Sequence, residues 1–448
     1  MHRPHCAVVV LGHTGHGKTT LVDALCGQPS PPRRVGDGDV KVRRCASLSK
    51  RYTLFDVPGG ARSLHASLRA TPMADVAILV VASTAGPQAL TREHLLVAQG
   101  MKSSVVVVIN DHDGDRTLLD ACELEVRSLL GEHGEAGDDA AIIVASLRDD
   151  GPRAAAEIFA VLDAAAHRHR DDEADAQLRV LFRHPGLSAV TAQGREWAVS
   201  SGQLAAGTLR VGDAVRVVGH RAAHTPLFFH SPAFQQRMAR NPNVYGRGGP
   251  GWVPPTYWPP AYVPPPRGAQ ETLARIEGLQ VARRDLDVVT AGEQVGVQLS
   301  FSGEVPRVDR FSSVVVSADH PDPAQVVLTT LTVRPSAVGG PRRRIDTLRS
   351  VVVWSGAYAT LAVVVLLDEH RRDVDSVGPD STFSAAIVLS APRFIDVGQP
   401  LIIASNVGVF ATGVVAEVVA TADAAPWFAR FIELRAANDA RRAPALFT

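Results

Sequence analysis

The chain is 448 residues long, and its 46 Lys+Arg are balanced by 46 Asp+Glu, for a formal net charge of zero. That balance excludes the global basic field that holds nucleic acid without sequence preference, so an RNA contact needs a local patch and DNA is not an expected partner. With 46% hydrophobic residues the chain has apolar material for roughly two to four cored domains, and global disorder is excluded.

Residues 1–165 alternate strand and helix patterns. The run Val8-Val9-Val10-Leu11 predicts a buried strand. Residues 12–19 then fit the phosphate-loop pattern G-x-x-x-x-G-K-[ST] in full, and Leu21, Val22, Ala24 and Leu25 follow at helical spacing. Strand, glycine loop and helix start are the context this motif needs. Glycines let backbone N–H groups turn inward around an anion, and the helix N-terminus adds partial positive charge. In the loop Gly12-His13-Thr14-Gly15-His16-Gly17-Lys18-Thr19-Thr20, Lys18 would reach the β- and γ-phosphates and the Thr19 hydroxyl would ligate Mg²⁺.

Residues 40–44 and 52–56 read as a strand pair joined by the polar turn Ser47-Leu48-Ser49-Lys50. Buried strands are expected at 75–82, 104–109 and 140–145, and helices at 61–70, 91–100, 118–130 and 152–166. Continuous apolar strands with helices between them predict an α/β domain over 1–168, its parallel-rich sheet covered on both faces and its ligand at the carboxyl ends of the strands. No apolar leader precedes the first strand. The four cysteines (Cys6, Cys26, Cys45, Cys122) form no C-x-x-C pair and read as free thiols of a reducing compartment, so a cytoplasmic protein is expected.

A charge run at 165–178 reads as a solvated helix end and linker. From Leu178 to about residue 420, short strands and glycine turns take over, as at 179–182, 208–218 and 294–299, and predict β-barrels. The first is expected over 178–300 and the second over 305–420. Between 221 and 270, Pro254-Pro255, Pro259-Pro260 and Pro264-Pro265-Pro266 alternate with Trp252, Tyr257, Trp258 and Tyr262. Proline removes donors, so no sheet passes here. The segment is an insertion between two strands or, alternatively, an arm whose aromatics dock a protein partner. The uncharged residues 351–367 are too few for a usual membrane span, and two buried strands turning at Ser355-Gly356 are expected instead. Arg342-Arg343-Arg344, the strongest local basic run, reads as a solvated turn ahead of an RNA contact. A terminal helix is expected in the tail, 424–448, through Trp427, Phe428, Phe431, Ile432 and Leu434.

Three further sites bear on which nucleotide the loop would hold. Asp56-Val57-Pro58-Gly59 matches a D-x-x-G element, in which Asp56 would hold Mg²⁺ through water and Gly59 would offer its N–H to a γ-phosphate. Asn110-Asp111-His112-Asp113 follows a strand and is similar to the guanine-selecting N-K-x-D element. Asp113 could accept hydrogen bonds from guanine N1–H and the exocyclic amine, a donor pair adenine lacks. The backbone of Ala145-Ser146-Leu147, after the next strand, would face guanine O6. Four elements in this order point to GTP and GDP with Mg²⁺, the metal residues being Thr19 and Asp56. No Ser/His/Asp or Cys/His arrangement stands out, and His65, His94 and His112 show no metal-ligand spacing.

These residues resemble elongation factor Tu and its relatives among the translational GTPases. Residues 12–21 are close to that family's G-H-x-D-H-G-K-T-T-L, and Asp56-Val57-Pro58-Gly59-Gly60 parallels D-C-P-G-H. Gly86-Pro87-Gln88, Thr91-Arg92-Glu93-His94-Leu95-Leu96 and Glu123-Leu124-Glu125-Val126-Arg127-Ser128-Leu129-Leu130 also follow the family text. Leu209-Arg210-Val211-Gly212-Asp213 and Val397-Gly398-Gln399-Pro400-Leu401 resemble barrel turns of its second and third domains. The resemblance implies a GTPase domain followed by two barrels, a guanine-nucleotide switch, and aminoacyl-tRNA and the ribosome as partners.

The departures bear on mechanism. Gly60 stands where the family has the histidine that positions the attacking water, and losing one such group typically costs on the order of 10²–10³ in rate. Gly15 replaces the loop's usual acidic residue, Asp111 replaces the lysine of N-K-x-D, and residues 28–39, where switch I falls, contain no threonine. The turn Gln203-Leu204-Ala205-Ala206 lacks the family's charged residues. Two functions therefore stand side by side. One is a divergent GTPase of protein synthesis with slow hydrolysis. The other is a degenerate guanine-nucleotide scaffold that docks a protein partner through its barrels and Pro/aromatic arm.

Overall fold

The computed structural model describes residues 3–29, 40–60, 63–111, 113–132, 140–165, 172–190, 196–219, 270–281, 284–301, 314–334, 344–356, 358–404 and 408–442. The chain divides into two compact units. One is Met1–Ala174 with Gln203–Gly207 and Thr290–Gln294; the other is Asp175–Gly202, Thr208–Val289 and Val295–Thr448.

The first unit is built on a six-stranded sheet of β1 (His5–Gly12), β2 (Lys41–Ala46), β3 (Arg51–Asp56), β4 (Val76–Ala82), β5 (Ser104–Asn110) and β6 (Ile142–Ala145), in the order β2-β3-β1-β4-β5-β6. β1 lies parallel to β3 and β4, and the parallel pairing continues through β5 to β6. Only β2 runs antiparallel, turning back onto β3 through Ser47-Leu48-Ser49-Lys50 with Lys41 opposite Asp56. Among the described residues the helices of this unit are α1 (Lys18–Cys26), α2 (Ser63–Ala70), α3 (Ala89–Gly100), α4 (Arg116–Glu132) and α5 (Gly151–Ala164).

Strand periodicity explains why β1 is apolar through residues 6–11. Successive side chains point to opposite faces. Cys6, Val8 and Val10 pack with Leu21, Val22 and Leu25 of α1 and with Ala154, Ile158 and Leu162 of α5. Ala7, Val9 and Leu11 are equally buried, and α3 packs on β1, β4 and β5 with α2 beside it. Burying each large aliphatic side chain is worth about 1.5–3 kcal/mol. The anchors Leu21, Val22 and Leu25 therefore hold α1, whose first turn carries Lys18 and Thr19, firmly on the sheet. Because the strands are parallel, Gly12, Asp56, Asn110 and Ala145 all end at the same edge.

In the second sheet, Ala214–Gly219 pairs with both Gln270–Val281 and Val314–Ser317. With Gln177–Val190, Glu196–Ala206 and Gln294–Phe301 these strands close a six-stranded ring, and Arg284–Leu286 extends it as a hairpin partner of Gln270–Val281. Val314–Ser317 falls inside the range expected for the following barrel (305–420), and here the expectation is corrected: its backbone hydrogen-bonds to Gln177–Val190 and Ala214–Gly219. A sixth strand is what removes the open edges, and no local sequence signal says which barrel it serves.

A second closed barrel has the order Ala324–Val333, Thr382–Arg393, Tyr358–Leu367, Arg349–Ser355, Pro400–Ala404, Val409–Val419. Val327, Leu331, Val353, Val364, Ile387 and Leu401 share one buried cluster of this barrel. The uncharged stretch at 351–367 is the hairpin Arg349–Ser355/Tyr358–Leu367, turning at Gly356 with φ 56°. The terminal helix Ala425–Arg442 lays Trp427, Phe428 and Leu434 against Val326, Val365, Ala386 and Val388 of the barrel wall. No helix among the described residues is long and apolar enough to cross a membrane. The Pro/aromatic segment up to residue 269, the core of the charge run (166–171), residues 30–39 of the switch I stretch, His112, Arg342 and Arg343 lie outside the described residues.

Candidate functional site

The glycine loop after β1 adopts the backbone its residue types allow. Gly12 (φ 138°) and Gly17 (φ 102°) are left-handed, and each is also crowded: a Cβ at Gly12 would run into the Val80 carbonyl, and one at Gly17 would lie 2.6 Å from the Asn110 amide. Gly17 caps α1 without a side-chain hydrogen bond to its first turn. The donors of that turn are thus not taken up by a capping side chain, as an anion-binding helix start requires.

Two buried histidines hold the loop, His94 from α3 and His16 from within the loop itself. The Gly12 N–H donates to His94 Nδ1 at 3.0 Å. His94 is fully buried, and burial, then the charges of Lys18 and His13, push its pKa down to about 3. It is therefore a neutral imidazole at physiological pH, as an acceptor at Nδ1 must be. His16 is held down to about 4, first by burial and then by His13, and its ring sits 5.3 Å from that of His13. Motif spacing assigns His94 no metal and gives no sign of this acceptor role. The usable signal was its place on the buried stripe Thr91-His94-Leu95-Ala98 of α3.

One side of the site comes from α1 and the end of β3. Lys18 Nζ donates to the His13 carbonyl at 2.6 Å, which holds the ammonium across the loop. The Thr19 hydroxyl donates to Asp56 Oδ2 at 3.1 Å. A hydroxyl and a buried carboxylate, converging from two elements, form a hard-oxygen pair that fits Mg²⁺. The Thr14 hydroxyl donates to the Gly59 carbonyl, which brings the D-x-x-G turn onto the loop. Gly60 is exposed, and a Cβ there would meet nothing within 4 Å.

Asn110 joins this side to the next. Its Nδ2 donates to the His16 carbonyl at 3.3 Å, and its Oδ1 accepts the Leu147 N–H at 3.2 Å. One side chain thus ties the phosphate loop to the loop after β6. Asp111 N–H donates to the Ala145 carbonyl at 3.1 Å, while its carboxylate accepts the Ser83 hydroxyl at 2.9 Å. Ser146 donates to Asp149 Oδ2 at 2.7 Å. Asp113 is exposed, three residues beyond Asn110 at the end of β5. The structure brings residues 12–20, Asp56, Gly59, Asn110, Asp111 and residues 145–147 to one edge of the sheet.

Residues 38–170 match the elongation factor Tu GTP-binding domain family. The matched segment includes Asp56, Gly59, residues 110–113 and residues 145–147, and it begins after the phosphate loop. Among solved structures, translation elongation factor SelB from Methanococcus maripaludis in complex with the GTP analogue GppNHp is similar over 94% of this chain and 81% of that one, with TM-score 0.68 and 17% identity. The apo form of that factor gives TM-score 0.66 at the same coverage and identity. At this identity the likeness is one of fold: a mixed, mostly parallel sheet domain followed by two closed six-stranded barrels.

Proposed function

Because the first domain is of the elongation factor Tu GTP-binding type and the whole chain has the architecture of a translational GTPase, we propose that this protein binds GTP and GDP with Mg²⁺, hydrolyses GTP slowly, and acts with aminoacyl-tRNA and the ribosome in cytoplasmic protein synthesis. The observation that carries the nucleotide assignment is the Asn110 side chain, bonded at once to His16 of the phosphate loop and to Leu147 after β6. This supports the reading in which the loop at 12–19 cradles phosphates and the loop at 145–147 faces the base.

On this reading Lys18 and the loop N–H groups hold the phosphates, and Asp113 with the backbone of Ala145, Ser146 and Leu147 selects guanine. Thr19 and Asp56 hold the Mg²⁺, which when bound neutralises charge on the β- and γ-phosphate oxygens. The open space at Gly60 leaves no side chain to orient an attacking water, so turnover is slow by about 10²–10³ relative to a site that has one.

The same position favours the second reading, a nucleotide-binding scaffold that docks a protein partner, as does the Asp111 carboxylate engaged by Ser83. Single-turnover GTP hydrolysis with and without ribosomes separates the two. Ribosome-stimulated turnover supports the GTPase of protein synthesis, and tight binding without turnover in either condition supports the scaffold. Filter binding of aminoacyl-tRNA to the GTP-loaded protein tests the RNA partner directly. Equal affinity for ATP and GTP would overturn the guanine assignment itself.

A further inference from the structure

All four cysteines lie in the first domain, and they fall into two kinds. Cys6 and Cys122 are buried. Cys26, which closes α1, and Cys45, near the end of β2, are partly exposed, and the Cys26 thiol reaches the carbonyl of Arg44, the residue next to Cys45, at 4.0 Å, so the two thiols are neighbours across a chain separation of residues 27–44. Both rest against the same apolar cluster, which includes Leu21, Val22 and Leu25 of α1. Arg43 fixes the approach. Its guanidinium reaches Asp23 Oδ1 at 3.3 Å and donates to the Gln28 carbonyl at 3.1 Å, so β2 is tied to the end of α1 on both sides of Cys26.

The contact makes the two sulfurs chemically unequal. The hydrogen bond from Cys45 lowers the Cys26 thiol to about 7, and the Arg43 charge acts in the same direction, against burial and Asp23. The same hydrogen bond, with burial, pushes Cys45 up. Both directions agree with Cys26 as the thiol that attacks and Cys45 as the partner that resolves, and the geometry already sets the two side by side at the junction of α1 and β2.

We propose that Cys26 and Cys45 form a reversible dithiol–disulfide couple, oxidised by hydrogen peroxide, whose disulfide links the end of α1 covalently to β2. In the first step the Cys26 thiolate attacks one peroxide oxygen. An S–O bond forms, the O–O bond breaks, and the hydroxide released takes up a proton as water. In the second, the Cys45 sulfur attacks the Cys26 sulfenic acid. The S–S bond forms, the S–O bond breaks, and the departing hydroxide takes the Cys45 proton as a second water. Two thiols lose two electrons and one peroxide is reduced to two waters.

The test is peroxide treatment of the full chain, followed by alkylation and non-reducing peptide mass spectrometry. The expected result is loss of two of the four thiols, a Cys26–Cys45 linked peptide, and full recovery with dithiothreitol. In Cys45→Ser, Cys26 stops at the sulfenic acid and is captured by dimedone. In Cys26→Ser, Cys45 stays reduced. Free, alkylated Cys26 and Cys45 after peroxide, or a disulfide joining either to another cysteine, overturns the proposal. The readout is thiol chemistry, so it is independent of whether the domain binds nucleotide.

Discussion

Replacing His94 by asparagine and by leucine separates its two contributions to the phosphate loop. In the native state the neutral ring accepts the Gly12 N–H at 3.0 Å and titrates at about 3, against an ordinary value of 6.5. Between those values the unfolded chain carries a proton at this residue that the folded chain does not. The unfolded state then binds more protons, so stability rises with pH by about 1.4 kcal/mol per unit and falls as pH drops below 6.5. Acidification from the ordinary histidine value to about pH 5 removes about 2 kcal/mol through His94. His16, held at about 4, adds a comparable amount of the same sign. Together this is a large share of the roughly 5–15 kcal/mol that keeps a typical domain folded. Asparagine at position 94 can present Oδ1 where the ring presents Nδ1, so it keeps the acceptor and removes one titrating group. Leucine removes both and leaves a buried N–H unpaired, at a cost of about 1–3 kcal/mol. The five tryptophans all lie beyond this domain, so the assay is hydrogen exchange of β1 and the phosphate loop, corrected for intrinsic rate, at neutral pH and at about pH 5. The asparagine variant should lose about half of the acid-induced drop in protection. If it keeps the whole wild-type drop, or if the leucine variant is as protected as wild type at neutral pH, His94 is not the neutral acceptor described here.

Three further outcomes are expected. Lys18→Ala should weaken fluorescent-GTP binding about ten- to a hundredfold, the worth of a charge-assisted hydrogen bond of about 1.5–3 kcal/mol; unchanged affinity would remove the phosphates from this loop. Asn110→Ala should cut GTP affinity and also speed hydrogen exchange in both the phosphate loop and the 145–147 loop, since it releases the His16 carbonyl and the Leu147 N–H together. Exchange altered at one loop alone would contradict the bridging role. Gly60→His places a ring in open space, and single-turnover hydrolysis should rise by up to about 10²-fold with little change in affinity; no gain would mean that Gly60 does not limit the rate.

Much of the first domain was legible because its signals are local. A β-branched strand, a glycine loop at the start of an amphipathic helix, and short turn-bounded strands are written in adjacent residues, and parallel topology then carries Gly12, Asp56, Asn110 and Ala145 to one edge. The Ser355-Gly356 turn was legible for the same reason: one glycine with positive φ interrupts an apolar run. Interactions between residues far apart in the chain were not legible. Val314–Ser317 closes the first barrel because a ring needs its last strand, whatever the sequence distance. His94 became a backbone acceptor only when α3 packed under Gly12, and Asp111 met Ser83 only at the paired ends of β4 and β5. Cys26 and Cys45 have no motif spacing and meet because α1 ends beside β2. By itself the sequence determined the elements and the glycine-loop motif, which depend on neighbours along the chain. The tertiary structure alone decided which polar groups are paired, buried or titrated, because those depend on neighbours in space.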